Sequence, residues 1–156
     1  MTRAQGSFPS LALPDVAGAA QPLAQAWAHG PALILIGHRT CKTTRETLPW
    51  VERIHRRRGP GATVLAVLQD DPATANELVA AQGLTLPIRL EADPYALAAA
   101  LDLTTVPTLF AVSPAGEITA LSEGLRRADL EELGRHVGVA GELFTAEDKV
   151  PAGKPG

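Results

Sequence analysis

The sequence predicts an α/β sandwich around a mixed central sheet, and three observations carry that prediction. Short apolar runs recur at Ala32–Ile36, Ala62–Leu68, Leu86–Leu90 and Thr108–Val112, each of strand length. Stretches with helical spacing or helix-start signals separate them, which is the alternation of an α/β chain. The tight turn Ser113-Pro114-Ala115-Gly116 then leads into Glu117–Leu121, and two strands joined so closely pair antiparallel.

Taken in order, Met1–Gly6 is expected to be loose. Phe8–Asp15 reads as an extended segment ended by proline and a turn through Gly18, and Pro22–Ala28 as a brief helical turn. The first central strand follows, continuous enough in Leu33-Ile34-Leu35-Ile36 to be buried on both faces. Gly37-His38-Arg39-Thr40 breaks it, and a helix opens at Cys41 and runs to about Arg58. Leu48, Val51 and Ile54 give that helix its apolar face. Pro49 predicts a kink inside it. The basic run His55–Arg58 before Gly59-Pro60-Gly61 suits a helix C-terminus better than a nucleic-acid patch.

After the second strand, Asp70-Asp71-Pro72 reads as an acidic cap followed by a first-turn proline, with Gly83 as the stop. Asp93-Pro94 repeats the same start signal ahead of a helix over Tyr95–Leu101. The last helix spans roughly Arg126–Val137, and the polar, Pro- and Gly-containing stretch from Phe144 reads as a frayed tail. The domain is therefore placed at residues 7–140, with a flexible tail at residues 141–156.

Bulk properties exclude several classes. A chain of 156 residues, 46% hydrophobic and 20% charged, fits one soluble domain. A net charge of −3 gives no reason to expect nucleic acid or an anionic membrane as partner. The longest apolar stretch is too short to cross a bilayer. Met1–Pro9 has no apolar core of a signal peptide, so the expectation is cytoplasmic. With one cysteine, no internal disulfide can form and nothing requires an oxidising compartment.

That cysteine organises the functional reading. A thiol at a helix start lies in the positive end of the helix dipole, which favours the thiolate. His38, Arg39, Lys42 and Arg45 adjoin it in sequence, and a hydroxyl of Thr43 or Thr44 is placed to reach the sulfur. Taken alone, a single cysteine is more often a small buried hydrophobe. His38 and Cys41 lack the further ligands a metal site needs, so neither metal nor cofactor is expected. The remaining histidines and the Arg126–Glu132 charges read as surface.

Read together, Phe8–Gly18, the cysteine-headed helix with Pro49, Thr105-Val106-Pro107-Thr108 and the Ser113–Ile118 hairpin resemble the thioredoxin-like superfamily. The likeness is closer to the branch holding the TlpA/ResA-type thiol-disulfide oxidoreductases and the peroxiredoxins, and it runs from about Phe8 to Val139. It implies a thioredoxin-like three-layer sandwich with an N-terminal extension. It further implies that Cys41 is the attacking thiol of the family's C-x-x-C, that Pro107 is cis, and that Val106 and Pro107, with Thr40, His38 and Arg39, face a bound substrate chain. Lys42, Thr43 and Thr44 complete the implied catalytic turn.

Three departures bear on function. Thr44 stands where the second cysteine belongs, so a self-contained dithiol cycle is excluded. Thr40 replaces the usual aromatic residue, and Leu35 the buried carboxylate of thioredoxins proper. Against the peroxiredoxins, His38 replaces a threonine and the loop at Val106–Thr108 lacks their arginine. The readings that stay open are a monothiol oxidoreductase resolved by an external thiol, a non-catalytic binding module, and a one-cysteine peroxidase. The retained cysteine and its basic neighbours favour the first, whose partners are a disulfide-bearing protein or a low-molecular-weight thiol. The sequence does not define the oligomeric state.

Overall fold

The structure, a computed structural model, describes all 156 residues. In chain order it contains β1 (Ala12–Pro14), β2 (Ala20–Pro22), a 3-10 turn (Leu23–Trp27), β3 (Ala32–Gly37), α1 (Lys42–Arg57) and β4 (Thr63–Leu68). These are followed by α2 (Pro72–Gln82), β5 (Ile88–Leu90), α3 (Ala96–Ala100), β6 (Thr108–Val112), β7 (Ile118–Glu123) and α4 (Arg127–His136). Five strands form one sheet in the order β5-β4-β3-β6-β7, and β1 with β2 forms a separate hairpin.

The sheet is mixed because its two halves are connected differently. β3 reaches β4, and β4 reaches β5, through helical crossovers, and both pairs are parallel. β6 runs antiparallel to β3 and to its hairpin partner β7. All six residues of β3 are buried. Leu33 and Leu35 point into one apolar cluster with Leu48, Val51 and Ile54 of α1 and with Leu130 and Leu133 of α4. Ile34 and Ile36 point the opposite way, against Leu97, Phe110, Phe8 and Trp27. This is a three-layer arrangement with β3 at its centre, and it delivers the end of β3 and the start of α1 to one edge of the molecule.

Pro49 sits inside α1, where it removes one N–H and so frees the carbonyl of Arg45 four residues earlier. That oxygen accepts from Gln82 Nε2 of α2 at 3.0 Å. Asp71 caps α2 through the Thr74 N–H at 2.7 Å, and Gly83 closes it in the left-handed region. The Asp71 carboxyl is held below its usual range, first by this backbone hydrogen bond.

The start of α3 differs from the Asp93-Pro94 expectation. The Asp93–Pro94 peptide is cis and Tyr95 lies in the left-handed region, so the proline does not occupy the first helical turn. The N–H of Leu97 is taken instead by the buried Glu91 carboxylate, a cap supplied from outside the helix that local sequence does not encode.

Both chain ends are also better anchored than expected. Thr2 is buried and the Arg3 N–H bonds to Leu101 O at 2.8 Å. Ser7 pairs with Glu117 at the turn end of the β6–β7 hairpin. The segment 141–156, expected to be frayed, lies back along the domain. Leu143 and Phe144 are buried in the cluster beneath α1 and α4, and Arg53 binds Asp148 through two hydrogen bonds at 2.7 and 3.3 Å. That pairing, with backbone help from Thr145, holds the Asp148 carboxyl well below the usual carboxylate range. Two aromatic or aliphatic anchors thus outweigh a locally polar composition.

Candidate active site

Cys41 is the N-cap of α1, with an extended backbone (φ −81°, ψ 116°) that turns the chain from the β3 loop into the helix. The preceding Gly37 makes that turn possible. A Cβ there would stand 2.6 Å from Thr44 Cγ2, so only glycine lets the first turn of α1 close onto the end of β3.

Cys41 is part-buried, and its sulfur lies between two backbone groups. Its S–H donates to Val106 O at 3.5 Å, and the Thr44 N–H donates to it at 3.5 Å. The Val106–Pro107 peptide is cis, and Pro107 is buried behind the half-buried Val106. Cys41, Thr44, Val106 and Pro107 therefore meet at one point, from elements far apart in sequence.

Other expected participants face elsewhere. His38 Nδ1 lies 2.8 Å from Thr40 Oγ1 and 3.1 Å from the Cys41 N–H. His38 therefore holds the loop and the helix start, and Thr40 is exposed beside it. Arg39 pairs with Glu77 at 3.4 Å, and its N–H is held by Asp70 Oδ2 at 2.9 Å. Arg45 donates to Arg39 O at 2.5 Å. Lys42 reaches Glu46 at 3.8 Å. None of these cationic groups is among the sulfur's hydrogen-bond partners.

The two hydroxyls expected at the sulfur are also engaged otherwise. Thr43 Oγ1 donates to Pro155 O at 2.7 Å. Thr44 is fully buried, and its Oγ1 has no hydrogen-bond partner. What reaches the sulfur from residue 44 is its backbone N–H.

Sequence reasoning missed the parts played here by Glu46, Asp70 and the last residues of the chain. Lys154 pairs with Leu125 through two backbone hydrogen bonds of 2.7 and 2.8 Å, and its ammonium binds Glu46. That hydrogen bond is the main reason the Glu46 carboxyl is held below its usual range. Nothing local in a Gly- and Pro-containing tail marks it as a neighbour of Cys41.

No protein-family model matches the chain, and no curated protein matches it. Solved structures do. A Chlorobium tepidum protein described as the thiol:disulfide interchange protein DsbE is similar at 19% identity, over 88% of this chain and 96% of that one, with a TM-score of 0.76. The thioredoxin domain of a thiol-disulfide oxidoreductase from Bacteroides vulgatus is similar at 17% identity, over 88% of this chain and 100% of that one, with a TM-score of 0.75. StoA from Bacillus subtilis is similar at 16% identity, over 75% and 89% of the two chains, with a TM-score of 0.63. The fold is thus thioredoxin-like, in the form these proteins share.

Proposed function

We propose that this protein is a monothiol thiol-disulfide oxidoreductase acting through Cys41. The observation that carries this reading is the convergence of the one sulfur, on a part-buried residue at a helix start, on the carbonyl of Val106 beside the cis Pro107. The solved structures of the same fold are of proteins described as thiol-disulfide interchange proteins and oxidoreductases, which supports the same chemistry here.

The chemistry is an exchange. The Cys41 thiolate attacks one sulfur of a partner disulfide, a new S–S bond forms, and the other partner sulfur leaves as thiolate with the electron pair. The Thr44 N–H, 3.5 Å from Sγ, is placed to hydrogen-bond the attacking sulfur. Because residue 44 carries no thiol, the mixed disulfide is opened by an external thiol attacking from solution. Cys41 is regenerated and the external thiol becomes joined to the partner.

Exposing the reduced protein to glutathione disulfide tests the reading by intact mass. One glutathione adduct is expected, absent from Cys41→Ser and removed by added thiol. A protein that takes up no adduct while folded, yet does so when denatured, would overturn it. The second reading, a non-catalytic binding module, is favoured by one observation: the basic side chains flanking Cys41 are spent on Glu77, Glu46 and a backbone carbonyl.

A further inference from the structure

The last residues of the chain converge on the carbonyl that the sulfur uses. Lys154 and Leu125 exchange both backbone hydrogen bonds, as an added strand would beyond the end of β7. Pro155 O accepts from Thr43 in the first turn of α1 at 2.7 Å. Gly156 lies so close to the cis-proline loop that a Cβ on it would stand 1.9 Å from Val106 O and 2.6 Å from Thr105 Oγ1. On the opposite side a Cβ on Gly124 would stand 2.3 Å from Lys154 O. The Lys154 ammonium meets Glu46, the one carboxylate on this side of α1, which Lys42 also faces at 3.8 Å.

We infer that residues 153–156 form an internal strap seated in a strip bounded by Thr43, Glu46, Gly124-Leu125 and Val106, where it blocks polypeptide access to Cys41. The strip selects its occupant by three features. It takes an extended backbone through Leu125, a basic side chain through Glu46, and a residue without a Cβ against Val106. Cys41 itself is only part-buried beside the strap, so the strap excludes bulky reactants and admits small ones. This inference rests on the strip's geometry and stands apart from whether Cys41 performs disulfide exchange.

The test compares alkylation of Cys41 in the folded, full-length protein by a bulky maleimide and by iodoacetamide. Lys154→Glu and Gly156→Ala both lie on the tail, away from the core. Each is expected to raise the bulky-to-small rate ratio by about threefold to fivefold, the order expected from losing one partly exposed ion pair or seat contact. Combining Glu46→Lys with Lys154→Glu is expected to restore the ratio, since the pair is re-formed with its signs exchanged. A synthetic Val-Pro-Ala-Gly-Lys-Pro-Gly peptide is expected to lower the raised ratio of Lys154→Glu in a dose-dependent way. Unchanged ratios in both single variants, or a raised ratio that neither the exchanged pair nor the peptide lowers, would overturn the strap.

Discussion

At the scale of single residues, position 44 decides what the site can do. Its backbone N–H reaches the sulfur, while its hydroxyl is buried without a partner, an arrangement that costs about 1–3 kcal/mol. Thr44→Val keeps the shape and removes the orphaned group. It is expected to stabilise the fold by about 1 kcal/mol in urea unfolding and to leave Cys41 adduct formation unchanged. Thr44→Cys introduces a second thiol one helical turn from the first. On mild oxidation it is expected to lose both free thiols in a monomer, which thiol titration and non-reducing electrophoresis would show together. Cys41, Val106 and Pro107 were legible in the sequence as a set through their order along the chain. The unpartnered Thr44 hydroxyl and the diversion of Arg39, Lys42 and Arg45 were not, because charges near in sequence around a turn leave it in different directions.

At the scale of elements, helix α1 is held by Glu52 as well as by its apolar face. One carboxylate oxygen accepts the Thr85 and Leu86 N–H groups at 2.8 and 3.0 Å, and the other accepts Thr85 Oγ1 at 2.6 Å and Arg56 Nε at 2.7 Å. Burial pushes this carboxyl up, but the hydrogen bonds from Thr85, Arg56 and Leu86 together outweigh it and hold the group at about 2, against an ordinary 4.5. The folded form therefore binds the proton less readily than the unfolded chain. Its contribution to stability is complete above pH 4.5 and is lost as the pH falls towards 2. Glu52→Gln is expected to cost about 3 kcal/mol at pH 7 and to flatten the acid limb of a plot of stability against pH. His55 on the same helix is shifted the other way from a stabilising cation. Burial and the neighbouring Arg58 favour its neutral form, so it does not act as a charged cap. The five strands of the central sheet and the two long helices were readable from apolar runs, caps and glycine stops, which are local signals, whereas β2 carried no such signal. The start of α3 was misread because Asp93-Pro94 has the composition of a helix start while Glu91 supplies the actual cap from the preceding strand end.

At the scale of the whole molecule, the tail belongs to the domain and links its core to its candidate site. Phe144 packs edge-on against Trp50 at 5.2 Å between centroids and lies under Arg127 at 5.0 Å. Phe144→Ala is expected to destabilise the fold by about 3–5 kcal/mol in urea unfolding, the cost of emptying a buried aromatic site. A tail packed only loosely would lose far less. Sequence could place this segment outside the domain because two buried anchors carry little weight in an otherwise polar stretch, and because their seats lie on α1 and α4. The mixed sheet, by contrast, followed from the alternation of strands with helices and the one tight hairpin turn. The central claim is that Cys41 forms a mixed disulfide which only an outside thiol opens, and the lifetime of that adduct tests it most directly. Purified Cys41–glutathione protein should keep its adduct in thiol-free buffer and lose it in proportion to added thiol, whereas the Thr44→Cys adduct should release glutathione unaided. Release from the unaltered protein at a rate independent of added thiol would contradict the account.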